Sequence, residues 1–124
     1  MAKWTNDDVL DVFLDEIATA TIMTLCSQQP ADRTGAVTTY ALADVTMTPG
    51  DGNDFTVGDG DSSGRKVTVA AKNAVDVDAA GTGNHVALCD ATNLLVVTTC
   101  ADKVVGTSDQ VNFPVWDAEV GDPT

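Results

Sequence analysis

Basic residues are scarce in this 124-residue chain: six Lys and Arg stand against 19 Asp and Glu, a formal net charge of −13. Nucleic-acid grooves and anionic membrane surfaces are bound through clustered cations that replace released counterions, so this balance excludes both kinds of partner. Histidine occurs once, at His85, which removes most metal and acid–base constellations. Long apolar runs are missing too. The longest, Ile17 to Leu25, is interrupted by threonines and falls far short of the roughly 20 residues of a membrane helix. A secretory leader needs a basic start before an apolar middle, whereas Lys3 is followed by Asp7, Asp8, Asp11 and Asp15. The chain is therefore expected to be made and assembled in a reducing cytoplasm.

Cysteine occurs three times at irregular spacing without a Cys-x-x-Cys pair, which is neither a disulfide framework nor a zinc signature. Cys89 and Cys100 flank an expected hairpin. If its turn centres on Thr92-Asn93, Cys89 faces about Val96 and Cys100 lies some four residues further on. That offset is about 13 Å at roughly 3.3 Å per residue, beyond the roughly 7 Å Cα limit of a bridge. All three thiols are expected to be free and buried, with Cys26 closing an apolar run.

What is present is β-branched. Seventeen Thr and seventeen Val favour a pleated surface, and 44% hydrophobic residues suffice for one core, so a single domain over residues 1–124 is expected. A helix is expected over about residues 6–18, with Thr5 as N-cap and Asp8 at the third helical position. Its apolar stripe, Val9, Leu10, Phe13, Leu14 and Ile17, reads as the face packed on a sheet.

Residues 19–116 read as the β-domain. Strand character runs over Thr19–Cys26, Thr39–Thr48 with a break near Ala43-Asp44, Arg65–Ala71, Val75–Ala79, Asn84–Asp90, Leu94–Cys100, Lys103–Val105 and Gln110–Trp116. Ser27–Val37 reads as a loop long enough to form an exposed arm, Pro49–Gly64 as an acidic loop anchored by Phe55 and Val57, and Gly81-Thr82-Gly83 as a turn. The acidic tail, residues 117–124, is either a last edge strand or a loose end. The expected fold is mainly β: an antiparallel sandwich or barrel-like domain of about six to eight strands with one N-terminal α-helix.

Few residues offer chemistry. Asp59, Asp61 and Ser63 with Gly64 match the front half of a calcium loop, but its twelfth position is Ala70 rather than a bidentate Glu. Asp51, Asn53 and Asp54 are further oxygen donors if the loop folds back. A solvated acidic turn is the simpler reading. His85 and Cys89 share a strand face about 13 Å apart, too far for one metal or a thiol–imidazole pair, so His85 reads as a packing or interface residue. No nucleophile elbow or phosphate loop is present, and neither a catalytic residue nor a cofactor is expected. Arg65-Lys66, the only basic pair, is expected to neutralise nearby aspartates or another chain's acids, and Trp116 to close the sheet against the helix.

Several stretches together carry a likeness: Cys26-Ser27, Pro30, Tyr40–Ala43, Ser63–Val69 (Ser-Gly-Arg-Lys-Val-Thr-Val), Gly81–Asp90 (with His-Val-Ala-Leu-Cys-Asp), Leu94-Leu95 and Gln110–Pro123. In this layout the chain resembles small virion structural proteins of tailed bacteriophages, above all head decoration (cement) proteins. Cys89 departs from the pattern, where an apolar residue such as Val is expected, and the Pro49–Gly64 loop is richer in Asp, as a saline host would favour. The resemblance implies a protein on the outer surface of the capsid, made in the host bacterial cytoplasm. Its partners would be the major capsid protein and itself, as a homotrimer over hexamer junctions, with no nucleic acid and no membrane. The Ser27–Val37 arm, with Ala31, Asp32, Arg33, Thr34, Gly35 and Ala36, or the helix end is expected to touch the shell. A tail or neck protein and a calcium-dependent β-sandwich binding module are the alternatives.

Overall fold

A computed structural model describes residues 3–122. It is mainly β, with nine strands in antiparallel sheets and one N-terminal helix, α1 (Asp7–Ile17). The strands are β1 (Ile22–Cys26), β2 (Ala41–Thr46), β3 (Phe55–Asp59), β4 (Arg65–Val69), β5 (Lys72–Asp76), β6 (Gly81–Cys89), β7 (Leu94–Val105), β8 (Gln110–Phe113) and β9 (Trp116–Val120). They form a four-stranded sheet in the order β2-β1-β6-β7, a three-stranded sheet β3-β4-β9 and a pair β5-β8.

The helix begins one residue later than expected. Asn6, not Thr5, is the cap: its side-chain oxygen accepts from the Asp8 N–H at 2.8 Å, while the Thr5 N–H donates to Asp122 at the other end of the chain. Leu10, Leu14 and Ile17 turn inward, and α1 packs chiefly on β4. Val9 and Phe13 do not join them. They lie on the column next to the core-facing one and are exposed, which corrects their place in the expected stripe.

One core fills the space between the sheets and α1, with Leu14, Met23, Met47, Phe55, Val67, Val69 and Leu88 almost wholly buried. Phe55, the expected anchor of the acidic loop, is fully buried and opens β3, so the middle of Pro49–Gly64 is strand rather than loop. The half of the tail up to Val120 is also strand: β9 pairs with β4 along its whole length, Val67 opposite Ala118. Leu94 to Val105 forms one strand instead of two, and β2 runs unbroken through Ala43-Asp44.

The Gly81–Gly83 stretch is not a turn. It lies inside β6 opposite Val105, Val104 and Lys103, and a Cβ on Gly83 would stand 2.6 Å from the Leu25 side chain. Glycine is required there by packing between neighbouring strands. A bulge beside Cys89 sets that residue opposite Leu94 rather than Val96.

The central strands are buried on both faces. Met23, Leu25, Val86 and Leu88 face the main core, while Cys26, Ala36, Ala87 and Cys89 make a second small cluster on the opposite side. That second face is closed by the segment expected to be an exposed arm. Asp32 accepts from the Gly35 N–H at 2.7 Å, and a single wide π-helical turn, Gly35–Thr39, is closed by the Tyr40 N–H on the Gly35 carbonyl at 2.9 Å. Ala36 and Pro30 are buried beneath it.

Candidate functional site

The acidic residues singled out as cation ligands face the chain's own cations. Arg65 Nη1 donates to Asp59 at 2.7 Å, and Lys66 Nζ donates to Asp61 at 2.7 Å and to Asp117 at 3.2 Å. The Ser63 hydroxyl accepts from the Asp122 N–H. Asp59 and Asp61 are thus divided between two cations rather than converged on one point. Asp51 and Asp54 accept from backbone N–H groups of Val57 and Thr48, Asp54 also pairs with Lys72 at 2.9 Å, and Asn53 donates to the Pro49 carbonyl. Among the described residues, no three His, Cys, Asp or Glu side chains come together as a metal would need. The Arg65-Lys66 pair neutralises neighbouring aspartates of its own chain, one of the two roles expected for it.

His85 is half-buried and its Nδ1 lies 2.6 Å from Asn84 Oδ1. Its cross-strand partners are Cys26 on β1 and Thr99 on β7, neighbours that linear spacing does not show. The Cys26 thiol contacts Thr24 Oγ1 at 3.3 Å and the Ala36 carbonyl at 3.4 Å, and burial pushes it above its ordinary pKa. It is a protonated core thiol, not a nucleophile. Cys89 is buried and likewise raised, whereas Cys100 is exposed, which corrects the expectation of three buried thiols. Cys100 lies on the same face of β7 as Val96 and Thr98, but where that face is left uncovered, lining hollows beside Val86 and Phe113.

Of the residues assigned to an interface arm, Ala31, Asp32 and Thr34 are exposed, Arg33 is half-buried, and Gly35 and Ala36 are buried. Arg33 Nε donates to the Asp90 carbonyl at 2.8 Å, tying this segment to the end of β6. The segment belongs to the folded body, so deleting it would uncover Cys26 and Cys89 rather than trim an appendage.

Two surfaces stand out instead. The first is the outer side of α1, where Val9, Val12 and Phe13, spaced i, i+3, i+4, are 62%, 70% and 54% exposed, with Trp4 at 71% just before the helix. The second is the seam between β7 and β8–β9. The four-stranded sheet ends at β7, and neither β8 nor β9 pairs with it among the described residues, so a long strand edge borders an open slot. Hollows of about 280 and 210 Å³ follow this slot; they share Val86, Cys100, Phe113 and Pro114. Trp116 lines, with Phe13, Ile17 and Val96, a hollow where α1, β7 and β9 meet, and its buried Nε1–H has no acceptor among the described residues. Helix periodicity did not signal the first surface, since it set Val9 and Phe13 in the core-facing stripe. The second had no signal, because β7 and β9 are brought together only by the order of the sheets.

The carboxylates Asp44 and Asp78 also meet. Burial, then a hydrogen bond and charge repulsion from Asp78, raise Asp44 above the ordinary carboxylate range. No helix among the described residues is long and apolar enough to cross a membrane. Comparison with family models, with curated proteins and with solved structures finds no match for the chain.

Proposed function

We propose that this chain is a virion structural protein that binds the outer surface of a tailed-phage head and reinforces contacts between major capsid proteins, as a trimer. The observation that supports it best is how the side chains divide between inside and outside. Arg65, Lys66 and Lys72 are drawn into ion pairs with the chain's own aspartates, leaving a carboxylate-rich exterior broken by large exposed apolar side chains. Such an exterior repels nucleic acid and discourages aggregation, while apolar patches of this kind mark contact with other proteins. A shell protein works through modest contacts multiplied over many copies, and a small patch per copy is enough for it.

The open β7 edge suits contact between copies, since an unpaired strand edge is a template for another chain. A trimer sets one surface of a copy against a different surface of the next, and the two unlike walls of the seam meet that need. The likeness in sequence to decoration proteins points the same way.

Co-sedimentation of the purified protein with empty phage heads tests the reading. Saturable binding at a fixed ratio to the major capsid protein is the expected result. A protein that stays in the supernatant with heads, or that binds isolated tails instead, overturns it.

A further inference from the structure

We infer that the outer face of α1 is the docking surface, and that it fits a protein patch that is apolar at its centre and ringed by Lys or Arg. The inference rests on the shell-binding reading and names the surface and the chemistry of that contact.

The face is built for two kinds of contact at once. Trp4, Val9, Val12 and Phe13 expose apolar area on the order of 500 Å², the upper range for an ordinary monomer. Asp8, Asp15 and Glu16 border it and are all exposed, and no basic residue stands in the last helical turn. By contrast Asp11, on the core-facing side of the same helix, is neutralised by Arg65. The helix is therefore charge-balanced toward its own domain and unbalanced toward the outside.

A second copy is a poor occupant. It would set the same acidic rim against itself, and four of its six cations are taken: Arg65, Lys66 and Lys72 are in ion pairs and Arg33 is on the Asp90 carbonyl. Only Lys3 and Lys103 lack such partners among the described residues. A helix-to-helix dimer would also bury about 1,000 Å² in total, at the low end for a stable pair. A foreign surface with a basic rim satisfies both the apolar centre and the carboxylates, and repeated copies on a shell compensate for the modest area.

The test uses the full chain and empty phage heads, with binding read by co-sedimentation and folding by circular dichroism. The double variant V12D/F13D alters two exposed side chains and should fold, yet bind heads about tenfold or more weakly. The pair D15N/E16Q should bind several-fold more weakly and with a shallower salt dependence. T107D, which adds a charge on an exposed turn, controls for charge alone and should bind as the parent does. Parent-like binding by folded V12D/F13D overturns the inference and leaves the shell reading standing. An oligomer of the parent chain that V12D/F13D dissolves overturns it in favour of a second copy. Failure of the parent chain itself to bind heads overturns the shell reading, and the inference with it.

Discussion

Arg65 and Asp11 meet fork to fork: Nε donates to one carboxylate oxygen at 2.8 Å and Nη2 to the other at 3.2 Å, while Nη1 holds Asp59. The hydrogen bonds from Arg65 to Asp11 and Asp59 raise the guanidinium pKa further still, so the cation is permanent. This one side chain joins α1, the end of β3 and the start of β4, and so positions the helix whose outer face is the proposed docking surface.

Replacing Arg65 with Met should lower the melting temperature and, more specifically, speed amide exchange in α1 ahead of the sheets. Lysine at this position should rescue only in part, because it cannot bond both carboxylate oxygens in one plane. Unchanged protection of the Leu10–Ile17 amides in R65M would contradict the clamp.

Gly64 has a φ of +70°, and a Cβ there would collide with the Val120 carbonyl oxygen, where the turn into β4 meets the end of β9. Gly64→Ala is expected to cost about 2–4 kcal/mol, combining left-handed strain with overpacking. Urea unfolding measures it. Gly52, also at positive φ but with open space around its Cβ position, should lose only the strain part, about 1 kcal/mol.

Acid acts on the carboxylates in two directions. Burial alone would raise Asp54, but hydrogen bonds from the Thr48 N–H and Lys72 outweigh it and lower its pKa; hydrogen bonds from Thr68 and Lys66 lower Asp117. Each contributes stability above the ordinary aspartate value of 3.8, and that contribution is lost as pH falls through the lowered folded value. Asp44 has the opposite sign: its raised pKa means the folded state holds the proton more tightly, so its ionisation costs stability as pH rises past 3.8. Asp44→Asn should therefore stabilise the protein at pH 7 by about 0.5 kcal/mol, the size of an exposed like-charge pair. The gain should vanish in acid, where both carboxyls are protonated. A gain independent of pH would place the cause elsewhere.

Thiol labelling should separate the three cysteines. Cys100 is exposed, whereas Cys26 and Cys89 lie in the small cluster under the π-helical turn. Partial burial, with Asp102 nearby, raises the Cys100 thiol, so labelling at mildly alkaline pH should modify it alone in the native protein. All three should react after unfolding. Rapid native labelling of Cys26 would show that the Gly35–Thr39 turn does not cover it.

The parts legible from the amino-acid order were those governed by local pattern. Leu10, Leu14 and Ile17 show the helix, alternation shows β1 and β4, and Phe55 shows where the acidic loop is anchored. Two adjacent helix columns cannot be ranked by periodicity, so the exposure of Val9 and Phe13 becomes visible only once β4 occupies the inner column. Gly83 looks like a turn because its real reason, the Leu25 side chain, is 58 residues away. The Ser27–Val37 segment reads as a loose loop because its order comes from the Asp32–Gly35 hydrogen bond and the distant Arg33–Asp90 bond. The β7–β9 seam depends on strand order, which no local pattern encodes.

The most direct test of a shell-binding role is cryo-electron microscopy of purified virions carrying this protein. The account predicts a small β-domain at symmetry-related sites on the outside of the head, three to a cluster, with the Trp4–Phe13 face turned toward the capsid protein. Heads without such density, or density confined to the tail, would contradict it.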